Sequence, residues 1–300
     1  MSSTMPFWMR GFLSALLATS FGLAGACATG EAPPDEAIDE TPAPSAELRI
    51  AHEPTADDEL PAALLGTAPA PQGQALHYLP EDTETTGYLA LPDGEGPHPA
   101  VILVHEWDGL KDRVRQVADA FASEGYVALA ADVYQGRTGN NPDENRALMG
   151  EARANMDQIV TNLNVAAAYL RDRADTSGKV AVMGWCFGGG VALSYGLDGE
   201  THEGTAMFYG QLVQDPEILQ RITHEVYGTF AAEDAGIPPQ DVEQFVDALR
   251  TANIENDVHI YDDVNHGFWL FVDQEPDTRT EPALNAWQRL KSYLSRTLSD

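Results

Sequence analysis

The chain is nearly without cysteine and nearly without lysine. Two cysteines, Cys27 and Cys186, occur in 300 residues. Cys27 closes an export-like leader, so the folded part keeps one thiol, and an intramolecular disulfide is open to it only if Cys27 stays free. A disulfide framework is thereby excluded. A lone thiol is unusual in an exported protein, which favours a working role for Cys186. Lysine is confined to Lys111, Lys179 and Lys291, and 17 basic residues face 47 acidic ones, a formal net charge of −30. Such a balance argues against nucleic acid and anionic membrane surfaces as partners. It fits a high-salt habitat, where salt screens self-repulsion, although drift in composition would produce it too. Metal-site spacing is also missing: no HxH, no HExxH and no clustered Cys/His occurs, so no metal site is expected. There is no internal repeat and no insertion long enough for a large separate lid.

The one apolar run near the N-terminus, Phe12–Ala26, is too short and too rich in Gly and Ala for a membrane span. With Arg10 before it and Leu23-Ala24-Gly25-Ala26-Cys27 at its end, residues 1–26 read as a signal peptide. The end resembles a bacterial lipobox, displaced because Ala24 stands where leucine is usual. A lipidated Cys27 and a cell-envelope address are therefore expected, in preference to a soluble periplasmic or secreted protein. Residues 27–72 are rich in Pro, Ala, Glu and Asp and read as a disordered acidic tether. Ala62–Leu65 is at most a short helix within it.

From residue 73 the pattern becomes that of a folded domain. Strands are expected at Gln74–Leu79, Thr86–Leu91, Ala100–Val104, Tyr126–Ala130, Val180–Met183, Thr205–Tyr209, Glu225–Phe230 and Val258–Tyr261. Helical periodicity marks Asp112–Ser123, a long region from Asp143 to Arg173, the Val242–Leu249 stretch and a closing helix through Ala283, Trp287, Leu290 and Leu294. Strands alternating with helices predict an α/β domain over 73–300, a doubly wound, mostly parallel sheet flanked by helices.

The stretch Val180-Ala-Val-Met-Gly-Trp-Cys-Phe-Gly-Gly-Gly190 carries the chemistry. It reads as a strand, a sharp glycine-bounded turn and a helix start, the context of a nucleophile elbow in the form G-x-C-x-G. The helix behind the turn aims N–H groups and a positive dipole end at its tip, which biases a thiol toward thiolate. A buried structural cysteine is the plainer alternative. In open α/β sheets the site forms at the carboxyl ends of the strands. Those ends hold Glu106 and Trp107 after one strand, Asp234 after another and His266 after the last. The order nucleophile, acid, histidine is that of an α/β-hydrolase. Cys186 is then the nucleophile, His266 its base and Asp234 the residue that orients the ring. Backbone N–H groups of Phe187 and Trp107 would form an oxyanion hole.

Taken together, Gly184-x-Cys186-x-Gly188-Gly189, His105-Glu106-x-x-Gly109-Leu110, Glu233-Asp234-x-x-Ile237-Pro238 and His266-Gly267-Phe268 resemble the dienelactone hydrolase family. The resemblance runs from about Gln74 to the C-terminus. It implies hydrolysis of small esters and lactones by a Cys-His-Asp triad through a thioester acyl-enzyme, without a cofactor. It also implies that Glu106 lies beside the resting thiol and takes its proton when substrate arrives. Two features depart from the family. No arginine follows His266, and Arg137, which follows Asp132-Val-Tyr134, stands one position off the family's second substrate arginine. Arg137, Phe268 and Trp269 are the expected pocket residues, with the aromatic residues suggesting a more apolar pocket. The expected protein is a monomer acting on a small-molecule ester or lactone. Its alternatives are a catalytically silent binding protein of the cell envelope and, less favoured for want of a resolving cysteine, a thiol redox protein.

Overall fold

The computed structural model describes residues 59–299. The leader, Cys27 and the tether as far as residue 58 lie outside the described residues. The elements are β1 (Gln74–Leu76), β2 (Gly87–Ala90), β3 (His98–Val104), α1 (Asp112–Ser123), β4 (Val127–Ala131), α2 (Pro142–Ala154), α3 (Met156–Arg171), β5 (Thr176–Trp185), α4 (Phe187–Asp198), β6 (Gly204–Phe208), α5 (Pro216–Leu219), β7 (Val226–Ala231), α6 (Pro239–Thr251), β8 (Asn256–Tyr261) and α7 (Pro276–Leu298). They form one sheet in the order β1-β2-β4-β3-β5-β6-β7-β8. Pairing is antiparallel across β1, β2 and β4 and parallel from β4 through β8. The α/β-hydrolase architecture is therefore present.

Alternation along the strands sends apolar side chains to both faces of the sheet. Val101, Leu103, Ala128, Ala130, Ala181 and Met183 join the cluster that holds α1 and α7 residues. Their neighbours Ala100, Ile102, Val127, Leu129, Val180 and Val182 join the cluster under α3 and α4. The central strands are apolar at every position because both faces are covered. α1 turns Val114, Val117, Ala118 and Phe121 inward, as its periodicity predicts.

Two expectations need correction. The tether does not extend to residue 72. Leu64 is fully buried, and Leu60 and Ala63 pack with it in the α1/α7 core. Ala62–Gly66 form turns rather than a helix. Arg113 fastens this segment: its guanidinium donates to the Ala63 and Leu64 carbonyls and to both carboxylate oxygens of Asp273. Three apolar residues in an Ala/Pro-rich stretch give too short a periodic signal to set them apart from a solvated linker. The long helical region of 143–173 is divided into two helices. The chain breaks at Asn155, whose φ of −124° and ψ of 37° are not helical and whose side chain donates back to the Glu151 carbonyl. Asn competes for backbone groups in this way, which ends a helix without Pro or Gly.

Candidate active site

β5 is central in the sheet, and Cys186 is the first residue beyond it. Its φ of 56° and ψ of −117° lie in a region that a side chain enters at a cost of about 1–3 kcal/mol. The flanking glycines allow that bend. A Cβ on Gly184 would fall 2.2 Å from the Gly188 carbonyl oxygen, and one on Gly188 would fall 2.2 Å from the Val104 carbonyl oxygen. The elbow thus closes on the neighbouring strand β3, with backbone against backbone. Cys186 donates its own N–H to the Phe208 carbonyl at 3.0 Å, which ties the turn to β6 as well. The sulfur stays half-buried.

Asp234 follows β7 and His266 follows β8, the adjacent strand. The loops are bound to each other: Ala232 donates its N–H to the Tyr261 carbonyl and Glu233 to the Val264 carbonyl. His266 Nδ1 donates to Asp234 Oδ2 at 2.6 Å, and Asp234 Oδ1 accepts the Gly236 N–H at 2.8 Å. That bond fixes the hydrogen on Nδ1 and leaves Nε2 to face the thiol. Burial disfavours charge on the ring, but hydrogen bonds to Asp234 and Cys186 outweigh it and push its pKa up to about 10. Buried Arg279 braces the histidine loop by donating to the Asn265 side chain and the Phe271 carbonyl.

Glu106 follows β3 and is buried. Desolvation, helped by the Asp108 charge, pushes its pKa up to about 8, against the pull of His266 and Arg113. Its backbone is held by His105: the fully buried ring donates from Nδ1 to the Glu106 carbonyl at 2.7 Å and accepts the Val133 N–H at Nε2. Burial lowers the His105 pKa and keeps that ring neutral. His105 therefore supports the site's backbone. The Phe187 amide heads α4, where the helix offers it no carbonyl of its own. Trp107 lies in the loop after Glu106, and its carbonyl accepts the Tyr134 hydroxyl at 3.2 Å.

Cys186, Phe187 and His266 line one cavity of about 520 Å³. The three expected pocket residues do not. Arg137 spends its guanidinium on Glu151, at 2.8 Å to each oxygen, and faces a separate cavity with Tyr134. Phe268 and Trp269 are fully buried. Trp269 stacks on Trp185 at 5.6 Å, and Phe268 packs between Tyr261 and Tyr209, so both are core. The lining instead includes Arg153 from α2, Tyr209, Gln211, Gln214 and Asp241, none of which stood out in the sequence. Tyr209 could have been found, because it follows β6 directly at the carboxyl end and its ring packs 4.9 Å from that of His266. Arg153 lies deep within a helical pattern and carries no such signal. Among the described residues no three His, Cys, Asp or Glu side chains gather as a metal site requires.

Residues 85–298 match the model of the dienelactone hydrolase family. The chain is 30% identical over 236 residues to a Synechocystis protein named "Putative carboxymethylenebutenolidase", covering 73% of this chain and 94% of that one. It is 28% identical over 236 residues to the Aquifex pyrophilus protein usf, covering 76% of this chain and all of the relative. Among solved structures it resembles a dienelactone hydrolase-like promiscuous phosphotriesterase from metagenomic libraries. The TM-score is 0.68 at 20% identity, over 77% of this chain and all of that one, a likeness of fold.

Proposed function

The chain belongs to the dienelactone hydrolase family and is an ester or lactone hydrolase, and on that premise we propose that Cys186 is its covalent nucleophile. The observation that carries this reading is the Cys186–His266–Asp234 line at the ends of three strands, with the thiol on a strained turn at a cavity.

In this reading His266 Nε2 takes the thiol proton and the sulfur attacks the ester carbonyl carbon. The carbonyl π electrons move to oxygen, where the Phe187 and Trp107 N–H groups receive the charge. The tetrahedral species collapses, the C–O bond breaks, and the imidazolium returns its proton to the leaving alcohol. A thioester remains on Cys186. Water then attacks it with His266 as base, the C–S bond breaks, and the acid leaves. Asp234 holds the ring and balances its charge throughout.

Glu106 is the proton reserve. Buried, and with its pKa pushed up to about 8, it holds a proton at neutral pH. Protonated, it adds no negative charge near His266.

Residues 1–26 act as an export signal in the same reading, and Cys27 carries a lipid anchor at the cell envelope. The N-terminal peptide of the exported protein is then a diacylglyceryl-cysteine, which its mass reveals; an unmodified N-terminus would rule the anchor out. The protein works as a monomer on small-molecule esters or lactones. A panel of aryl esters and lactones, assayed with the parent and Cys186→Ala, tests the activity. Turnover in the parent and its loss in the variant support the mechanism. Equal turnover in both would make Cys186 structural, and equal inertness would favour a silent binding protein.

A further inference from the structure

One cation stands where a helix disfavours it. Lys111 is the N-cap of α1, with extended backbone, and its side chain caps none of the free N–H groups of the first turn. Ser, Thr, Asp or Asn is favoured at that position, and the positive end of the helix dipole opposes an ammonium there. The contacts of Lys111 lie off the helix. Its ammonium is 2.8 Å from Asp108 Oδ2 and donates to the Gly139 carbonyl at 2.7 Å. Two loops meet at that point. The first is the turn Glu106–Gly109, closed by the Gly109 N–H donating to the Glu106 carbonyl at 3.3 Å, a bond in which the Trp107 N–H takes no part. The second is the segment between β4 and α2, where Gly139 donates its N–H to the Asp108 carbonyl at 3.1 Å. Their backbones touch. A Cβ on Gly109 would fall 2.7 Å from the Arg137 carbonyl oxygen, and one on Gly139 would fall 1.9 Å from Asn145 Oδ1 of α2. Tyr134, at the start of the same segment, adds its hydroxyl bond to the Trp107 carbonyl. Those bonds are neutral, and Lys111 supplies the charged one.

We propose that Lys111 is a positioning residue: by tying Asp108 to Gly139 it holds the Glu106–Gly109 turn, and with it the Trp107 N–H, where the oxyanion forms. This rests on the hydrolase reading of the same site. A donor to an oxyanion acts only at hydrogen-bond distance, and removing one outright costs about 10²–10³-fold in kcat. A donor displaced on a loosened turn forfeits part of that. The tie is partly open to solvent, with 41% of the Lys111 side chain and 27% of that of Asp108 exposed, so its contribution is a moderate one. The same lysine weakens α1 at its first turn and steadies the neighbouring turn. A substitution separates the two effects, because they act on stability and on activity with opposite signs.

The test uses the full chain as parent, Lys111→Ser, Lys111→Arg and Arg115→Ala. Serine supplies a favoured N-cap and no cation. Arg115, on the same helix and 2.9 Å from Asp112, controls for loss of one surface charge. The substrate is p-nitrophenyl butyrate. In Lys111→Ser kcat falls about tenfold with KM within about twofold of the parent, because an oxyanion forms in both acylation and deacylation. Lys111→Arg recovers most of the loss, since a guanidinium can donate to both acceptors. Arg115→Ala stays at the parental value. The thermal midpoint of Lys111→Ser is at or above that of the parent. A second readout needs no turnover. Amide hydrogen exchange, followed by the mass of peptides spanning 105–111 and 136–141, is about three- to tenfold faster in both for Lys111→Ser, the size expected of a partly exposed ion pair and one charged hydrogen bond. Parental kcat or parental exchange in Lys111→Ser, an equal fall in Lys111→Arg or Arg115→Ala, or a fall in kcat that comes with a lower thermal midpoint overturns the inference. Faster exchange in Lys111→Ser, with a parent that turns over no ester, leaves the tie between the loops standing and overturns the hydrolytic reading instead.

Discussion

His266 Nδ1 donates to Asp234 Oδ2 across 2.6 Å, with the carboxylate buried to 4% exposure and the imidazole 42% exposed. One partner is anchored in protein and the other faces the cavity, so the bond sets the ring's tautomer and direction. Asp234→Asn replaces an acceptor by an amide that can also donate. It is expected to lower kcat by about 10²- to 10⁴-fold through the wrong tautomer. KM changes little and the fold is retained, since the amide oxygen can still accept the Gly236 N–H. Steady-state kinetics with circular dichroism on the same samples check this; a loss of kcat below about threefold would remove Asp234 from the mechanism.

Glu106 gives a pH dependence of stability with a definite sign. Its folded pKa, about 8, lies above the ordinary 4.5 because burial disfavours the carboxylate. Below pH 4.5 both folded and unfolded chains hold the proton, and the term is at its most favourable. Between 4.5 and 8 the unfolded chain releases its proton and the folded one does not, so stability declines as pH rises, and it levels off above 8. Glu106→Gln removes the titration. Denaturant melts at pH 5 and pH 8.5 should show the variant gaining on the parent at the higher pH by on the order of a few kcal/mol. Equal differences at the two pH values would mean that the carboxyl titrates normally.

The N-terminal boundary makes a prediction of its own. Leu64 is fully buried beneath the α1/α7 face although it precedes the first strand. Leu64→Ala is expected to cost about 2–4 kcal/mol of unfolding free energy, as core leucine truncations do. Leu65→Ala, 37% exposed at the next position, is the control and should cost under about 0.5 kcal/mol. Equal, small losses would show that the segment does not pack.

What the sequence makes legible follows from how far each signal reaches. The elbow was readable because its requirements are local: Gly184 and Gly188 each meet a backbone carbonyl within a few residues or on the adjoining strand. The positions of Glu106, Asp234 and His266 just beyond the carboxyl ends of parallel strands are legible from the alternation of strands and helices. The pocket is not. Phe268 follows the histidine in sequence, yet the chain turns it and Trp269 into the aromatic core under Trp185. Arg137 lies near a strand end, but Glu151, fourteen residues on, claims it. Arg153 reaches the cavity only because α2 ends where it does, and helix placement is a tertiary fact. The break at Asn155 was missed for a similar reason: periodicity continues across it, and only the side chain's bond to the Glu151 carbonyl marks the end.

Trapping the acyl-enzyme tests for a covalent step at Cys186. The parent is mixed with a slowly hydrolysed aryl ester, quenched in acid at short times and digested, and the Cys186 peptide is weighed. An acyl mass is expected on that peptide, labile to hydroxylamine as a thioester is. It should form as fast as the first equivalent of phenol is released, and both its formation and its hydrolysis should slow in His266→Gln, where the shared base is gone. Phenol release without acylation of Cys186, under conditions in which an alkylating probe still labels that thiol, would contradict it.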